Sequence, residues 1–81
     1  MKSLSKEQDQ SSQIGRPLKL IRIKDVVKIT GLSKSYIYQL ANKKLFPKSI
    51  QLIPGGSSVA WVEAEVYEWI ESRIQYRDNL S

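Results

Sequence analysis

Residues 26–43, VVKITGLSKSYIYQLANK, form two short amphipathic segments on either side of a tight break. In both segments apolar residues recur at helical spacing and leave the other side polar. Gly31 is placed to end the first helix in the left-handed conformation, where a side chain costs energy. Ser33 follows as the predicted N-cap of the second helix. This pattern predicts a helix-turn-helix.

The chain's 81 residues suffice for one small domain with a single modest core. It contains no cysteine and no histidine, so disulfides and the usual thiolate or imidazole metal sites are excluded. No apolar run reaches the roughly 18 residues that a membrane-spanning helix needs. The N-terminus also lacks the apolar segment of a secretory signal. We therefore expect a cytoplasmic protein.

The net charge of +5 is unevenly distributed along the chain. Residues 10–61 contain nine lysine and arginine residues and one acid, Asp25, whereas residues 62–81 contain two arginines and five acids. A basic segment that coincides with the helix-turn-helix favours a polyanionic partner on one face. An ordinary solvated lysine-rich surface would have the same charge, and only the motif favours nucleic acid over it.

The chain divides into three predicted parts. Residues 1–17 are polar and without periodicity, and we expect a flexible tail. Residues 18–77 form the folded domain, and residues 78–81 are expected to fray. Within the domain, residues 18–23 are too short to decide between an extended lead-in and a strand.

A β-hairpin is predicted after the helix-turn-helix. Residues 48–53 alternate, with Ile50 and Leu52 on one face, and residues 59–61 return as a second strand. Between them, residues 54–58 read PGGSS and form a turn whose glycines let the backbone approach a minor groove closely. The predicted fold is therefore mainly α with a small β-hairpin, a winged helix-turn-helix.

The last helix is predicted from residue 62 to about residue 76. Its apolar stripe comprises Val62, Val66, Trp69, Ile70 and Ile74. Four glutamates occupy the opposite side and are best interpreted as a solvated face. Because that face repels phosphates, we expect this helix to point away from a duplex.

The second helix of the motif, residues 33–44, is the candidate recognition helix. Glutamine and asparagine can bond adenine bidentately, and lysine pairs with guanine or phosphate. Two alternatives stay open: Lys43 and Lys44 are phosphate contacts or plain surface, and Tyr38 could instead pack on the core. The candidate DNA-binding residues are Arg22, Lys24, Ser33, Lys34, Ser35, Tyr36, Tyr38, Gln39, Asn42, Lys43, Lys48, Gly55, Gly56 and Ser57.

With these features in view, the chain resembles the AlpA family of phage and prophage regulators. The resemblance implies a MerR/excisionase-like winged helix that binds DNA and regulates integrase or excision genes. It also places Ser33, Lys34, Ser35, Tyr38 and Gln39 on the recognition helix and residues 54–58 on the wing. The matching residues are Arg22-Ile23, Val26, Thr30-Gly31-Leu32-Ser33, Ser35, Ile37-Tyr38, Leu40, Phe46-Pro47-Lys48, Ile50, Leu52, Val59, Trp61, Glu65-Val66 and Trp69-Ile70.

Three positions depart from the family pattern. The family usually carries arginine where Gln39 and Ser57 stand, and glycine where Lys44 stands. Two missing arginines remove strong phosphate or guanine contacts. Lys44 implies a different helix ending or a non-glycine residue in the left-handed conformation. We infer an altered sequence preference, or weaker single-site binding helped by cooperation between subunits.

The leading hypothesis is a sequence-specific, nucleoid-associated transcriptional regulator that binds double-stranded DNA without catalysis or cofactor. An excisionase, or recombination directionality factor, needs the same chemistry and is the alternative. Self-association or cooperative binding on DNA stays open, and no membrane or small-molecule ligand is indicated. A protein-interaction module that docks its Val66–Trp69–Ile70 stripe is less favoured. An enzyme is least favoured, because no convergent acid/base pair is evident.

Overall fold

A computed structural model of the protein describes residues 18–80. Three helices and three short strands follow one another along this part of the chain. The order is β1 (Leu20–Ile21), α1 (Ile23–Thr30), α2 (Lys34–Asn42), β2 (Ile50–Gln51), β3 (Val59–Val62) and α3 (Glu63–Leu80). This mainly helical architecture with a small antiparallel sheet confirms the predicted fold class. The predicted tail lies outside the described residues.

The strands form a three-stranded sheet in the order β1-β3-β2, both pairings being antiparallel. Ile21 lies opposite Trp61, and Ile50 lies opposite Ala60 on the other edge of β3. In residues 18–23, where the sequence did not decide between an extended segment and a strand, Leu20–Ile21 forms a strand. The predicted β-hairpin is therefore part of a three-stranded sheet. β2 is shorter than predicted, since the closing turn begins at residue 53, and Ile50 is 41% exposed on this edge strand.

One apolar core joins the helices to the sheet. Trp61, Ile37, Val26 and Val66 are fully buried, one each from β3, α2, α1 and α3. Ile21, Phe46 and Ala60 complete the buried set, and no polar or charged side chain is buried among residues 18–80. Burial of these side chains fixes the helices against the sheet, and α1 and α2, with 8 and 9 residues, are too short to be stable on their own.

Backbone and side-chain hydrogen bonds fix the turn between α1 and α2. Gly31 takes the predicted left-handed conformation (φ 76°), and its N–H donates to the Val27 carbonyl at 2.8 Å. The Thr30 hydroxyl donates to the Val26 carbonyl (2.8 Å) and accepts from the Leu32 N–H (3.1 Å). The angle between the two helices is therefore held by local bonds as well as by the core.

Two tryptophans hold the segment that follows α2. The Trp61 indole N–H donates to the Pro47 carbonyl at 3.1 Å, and the Trp69 indole N–H donates to the Leu45 carbonyl at 2.8 Å. Between these bonds, Phe46 is buried and packs edge-on against Trp69, with ring centroids 4.9 Å apart. Phe46 is therefore a core residue, and this packing ties the end of α2 to both β3 and α3.

α2 ends in a Schellman motif with lysine where glycine is usual. The Leu45 N–H donates to the Leu40 carbonyl (2.9 Å), and the Lys44 N–H donates to the Ala41 carbonyl (3.0 Å). Lys44 has φ 61°, the one non-glycine residue with positive φ among residues 18–80. Of the two endings expected for this substitution, the structure therefore has the left-handed lysine.

α3 begins after Val62, which belongs to β3, and extends to Leu80 rather than ending near residue 76. No glycine or proline interrupts residues 63–80, which lets the helix continue to Leu80. Fraying of residues 78–81 stays a prediction. Residues 71–80 are all exposed, including the predicted stripe residue Ile74 at 44%. None of the helices in the described part of the chain is long and apolar enough to cross a membrane.

The strained backbone at Lys44 leads to a stability prediction. Lys44→Gly should raise the free energy of unfolding by about 0.5–1 kcal/mol, because glycine adopts positive φ without the penalty that a Cβ incurs. Urea denaturation followed by tryptophan fluorescence measures the change. Lys43→Gly removes the same charge at φ −88° and should not stabilise the protein. Equal effects of the two substitutions would contradict the argument.

Candidate nucleic-acid interface

The exposed side of α2 carries an arc of polar residues. With about 100° between successive residues, five positions fall within roughly 140° of the helix surface; these residues form the outward arc. All five are exposed, whereas Ile37 is fully buried on the opposite side. The members of the outward arc are Lys34, Ser35, Tyr38, Gln39 and Asn42.

Ser33 caps the N-terminal end of α2 and does not belong to the outward arc. Its hydroxyl oxygen accepts from the Tyr36 N–H at 3.2 Å, which confirms the predicted N-cap. The cap satisfies one backbone N–H that would otherwise lack a partner at the start of α2. Ser33 is exposed, but its predicted contact with DNA would have to coexist with this bond.

Tyr38 connects the outward arc to the core. It is 36% exposed, and its ring centroid lies 5.8 Å from that of Trp61, tilted by 55°. Part of the Tyr38 side chain therefore packs on the core, and the rest is exposed on the outward arc. Tyr38, Asn42 and Lys48 line one pocket together with Trp61. The structure thus brings Lys48, from the segment before β2, beside two members of the outward arc.

Tyr36 lies at the edge of the outward arc, one turn from Gln39. It also lines a groove on the other side of α2, together with Leu40, Leu45 and Trp69. Tyr36 is 46% exposed and faces the groove as well as the arc. Lys43 follows α2 as its C-cap residue and is exposed.

Arg22 and Lys24 stand at the start of α1, and both are exposed. The Arg22 N–H donates to the Asp25 carboxylate (3.3 Å), and the Asp25 N–H donates to the Arg22 carbonyl (2.9 Å). Asp25 therefore has the structural role expected of an acid in the first turn. Because β1 runs antiparallel to β3, Arg22 follows β1 at the end of the sheet where β3 begins.

The loop between β2 and β3, residues 52–58, is the wing loop. Pro54 occupies the second and Gly55 (φ 77°) the third position of a four-residue turn. The Gly56 N–H closes this turn by donating to the Ile53 carbonyl at 2.8 Å. This is the signature of a type II turn. Of the predicted wing residues, Gly55 and Ser57 are exposed and Gly56 is half-buried.

The side-chain amide of Gln51 braces the wing loop. Its Nε2 donates to the Gly56 carbonyl at 2.7 Å, and its Oε1 accepts from the Gly55 N–H at 3.4 Å. The sequence pattern places Gln51 in a strand and does not predict its contact with the wing loop. A glutamine a few residues before a proline-glycine turn has no distinctive sequence signal, because the contact depends on how the hairpin closes.

Electrostatically, α1 and α2 differ from α3. Lys24, Lys28, Lys34 and Lys43 are exposed on α1 and α2 or at their ends, where Asp25 is the single acid. On α3, three of the four glutamates are exposed and Glu63 is half-buried, 3.9 Å from Lys19. The basic side chains that could meet a polyanion therefore lie on the helix-turn-helix.

A helix-turn-helix joined to a three-stranded antiparallel sheet with a protruding hairpin defines a winged helix-turn-helix class of protein. Residues 19–74 match the model of the family described as "Prophage CP4-57 regulatory protein (AlpA)". The chain belongs to this family.

Two curated relatives share the same region. One is 41% identical over 59 residues, covering 73% of this chain: an uncharacterized protein, ORF88, of Enterobacteria phage P4. The chain spans 65% of that protein's length. The other is 36% identical over 64 residues, covering 72% of this chain and 89% of the relative. It is the DNA-binding transcriptional activator AlpA of Escherichia coli (strain K12).

Ser33 and Ser35 make a matched pair for a stability test. Ser33→Ala removes the N-cap and should lower the free energy of unfolding by about 1 kcal/mol. Ser35→Ala, an exposed position within the first turn of α2, should change it by less than about 0.5 kcal/mol. Thermal denaturation followed by circular dichroism compares the two variants. A Ser33→Ala protein as stable as wild type would show that the cap bond contributes nothing.

Proposed function

We propose that the protein is a sequence-specific DNA-binding regulator of phage, prophage or integrated mobile-element genes, such as integrase or excision genes. The outward arc of α2 reads base edges in the major groove, and the wing loop lies along the adjacent minor groove. Lysines of the helix-turn-helix attract the duplex and hold phosphates. The protein acts by occupying its site and carries out no chemical step on the DNA.

The observation that carries this proposal is the division of α2 into two sides. Ile37 is fully buried and Leu40 is half-buried, so the rotation of the helix about its axis is fixed by the core. That rotation leaves Lys34, Ser35 and Gln39 in solvent. These residue types donate and accept hydrogen bonds in the patterns that base edges present.

Membership of a family of prophage regulatory proteins and the E. coli relative's description as a DNA-binding transcriptional activator support the same function. Gln39 stands where the family usually has arginine, so at this position we expect an adenine contact rather than a guanine contact. The protein's preferred site should then differ from those of arginine-bearing family members.

An excisionase would use the same surface, and the arrangement of sites distinguishes it. A transcriptional regulator is expected to occupy one or two sites near a promoter. An excisionase is expected to occupy several neighbouring sites in an attachment region. Footprinting across the protein's own genomic neighbourhood separates the two. The protein-interaction alternative is disfavoured because Val66 is fully buried and Trp69 and Ile70 pack against the core.

The function is tested by selecting duplexes from a randomised pool with the wild-type protein and titrating the selected duplex in gel shifts with excess competitor DNA. Gln39→Ala should weaken binding to the selected duplex by roughly 5- to 150-fold, the equivalent of about 1–3 kcal/mol for a base contact. Binding to unrelated DNA should change much less, because phosphate contacts remain.

Gln75→Ala is the matched control, since Gln75 is an exposed glutamine on α3. It should bind the selected duplex as wild type does. Failure of the wild-type protein to select any duplex would refute the proposed function. If Gln39→Ala and Gln75→Ala bind the selected duplex equally well, recognition of the DNA sequence would have to be assigned to another surface.

A further inference from the structure

The wing loop has no charge with which to hold DNA. Residues 49–62 contain no charged side chain, so the whole hairpin lacks the lysine or arginine that would pair with a phosphate. The loop instead exposes apolar groups: Ile53 is 62% exposed, and Pro54 beside it is also exposed. A long-lived contact between this loop and a polyanion must therefore rest on apolar groups, backbone groups and the uncharged hydroxyls of Ser57 and Ser58.

The wing loop is also held in one conformation before any partner binds. The turn bond from Gly56 to Ile53 is supported by the Gln51 amide, which bonds both glycines, and by the Leu52 N–H, which donates to the Ser58 carbonyl at 2.9 Å. Side chains on such a loop lose little conformational freedom on binding. A fixed loop with an exposed aliphatic tip can press into a groove, whereas a flexible one would fold away from it.

The position of the wing loop in the fold suits insertion into a DNA groove. It extends from the end of the sheet where β3 begins, which is also the end where Arg22 and Lys24 follow β1. Two basic residues therefore lie at the same end of the sheet as the uncharged wing loop. Proteins that bend DNA through the minor groove commonly insert isoleucine, leucine or proline between base steps, while nearby cations hold the backbone.

We propose that the wing loop is an uncharged minor-groove wedge: Ile53 partly unstacks one base step and bends the duplex, and Gln51 is the positioning residue that holds the loop for it. This inference rests on the proposed function and adds bending to it. Flexible pyrimidine–purine steps are the sequences that deform at least cost, so the wedge also favours such a step beside the α2 contact.

The test measures both the bend and the affinity of the duplex that the wild-type protein selects. Circular-permutation gel mobility gives the bend, and titrations at several salt concentrations give the affinity and its salt dependence. Ile53→Ala should reduce the bend by roughly half or more. Affinity should fall by about three- to tenfold through the loss of buried aliphatic surface.

Salt dependence separates a wedge from a charge contact. Ile53→Ala should leave the slope of log affinity against log salt unchanged, whereas Lys34→Ala should reduce it by about 0.9 if that lysine holds one phosphate. Leu18→Ala is the matched control: Leu18 is 58% exposed and precedes β1 at the opposite end of the sheet. It should alter neither the bend nor the affinity.

Gln51→Ala provides the second variant, because it keeps Ile53 but removes both bonds of the amide. It should reduce the bend with the salt slope again unchanged. The wedge is refuted if the wild-type complex is straight, or if Ile53→Ala bends the duplex as wild type does; in both cases a selected duplex leaves the proposed function intact. If the wild-type protein selects no duplex, the proposed function fails and the wedge fails with it.

Discussion

The burial of the Trp61 side chain is the interaction on which the other elements depend. Its ring is fully buried on the central strand, touches Tyr38 of α2, and donates its N–H to the Pro47 carbonyl. A buried indole N–H without an acceptor costs about 1–3 kcal/mol. Burial of the Trp61 ring therefore requires the segment after α2 to bring the Pro47 carbonyl within hydrogen-bond distance. The sheet thereby fixes both the position and the end of α2.

The sequence predicted local features well and non-local ones poorly. The Ser33 cap, the left-handed Gly31 and the buried Ile37 each follow from residues within one or two turns of helix, and all three are present. β1 is a different case, because Leu20–Ile21 acquires strand structure only by pairing with β3, about 40 residues later.

The candidate site divides in the same way. The exposure of the outward arc followed from helical periodicity, whereas the groove beside Tyr36 and the approach of Lys48 to Tyr38 depend on how the segment after α2 folds back. The Gln51 brace is local, joining residues four and five positions apart, and it was missed because it depends on how the hairpin closes. The prediction for the end of α3 was wrong for another reason. Ile74 belongs to the apolar stripe, which predicts burial, but it is exposed because the rest of the domain is too small to cover it.

The two-sided organisation of α2 has a consequence for how the protein tolerates substitution. Lys34, Ser35 and Gln39 contribute nothing to the core, so substitutions there should change the free energy of unfolding by less than about 0.5 kcal/mol. Under the proposed function, the DNA preference can then change while the scaffold does not. Tyr38 is the exception, since its ring also packs on Trp61. We therefore expect substitutions at positions 34, 35 and 39 to leave the fold intact, whereas loss of the aromatic ring at position 38 should also disturb packing on Trp61.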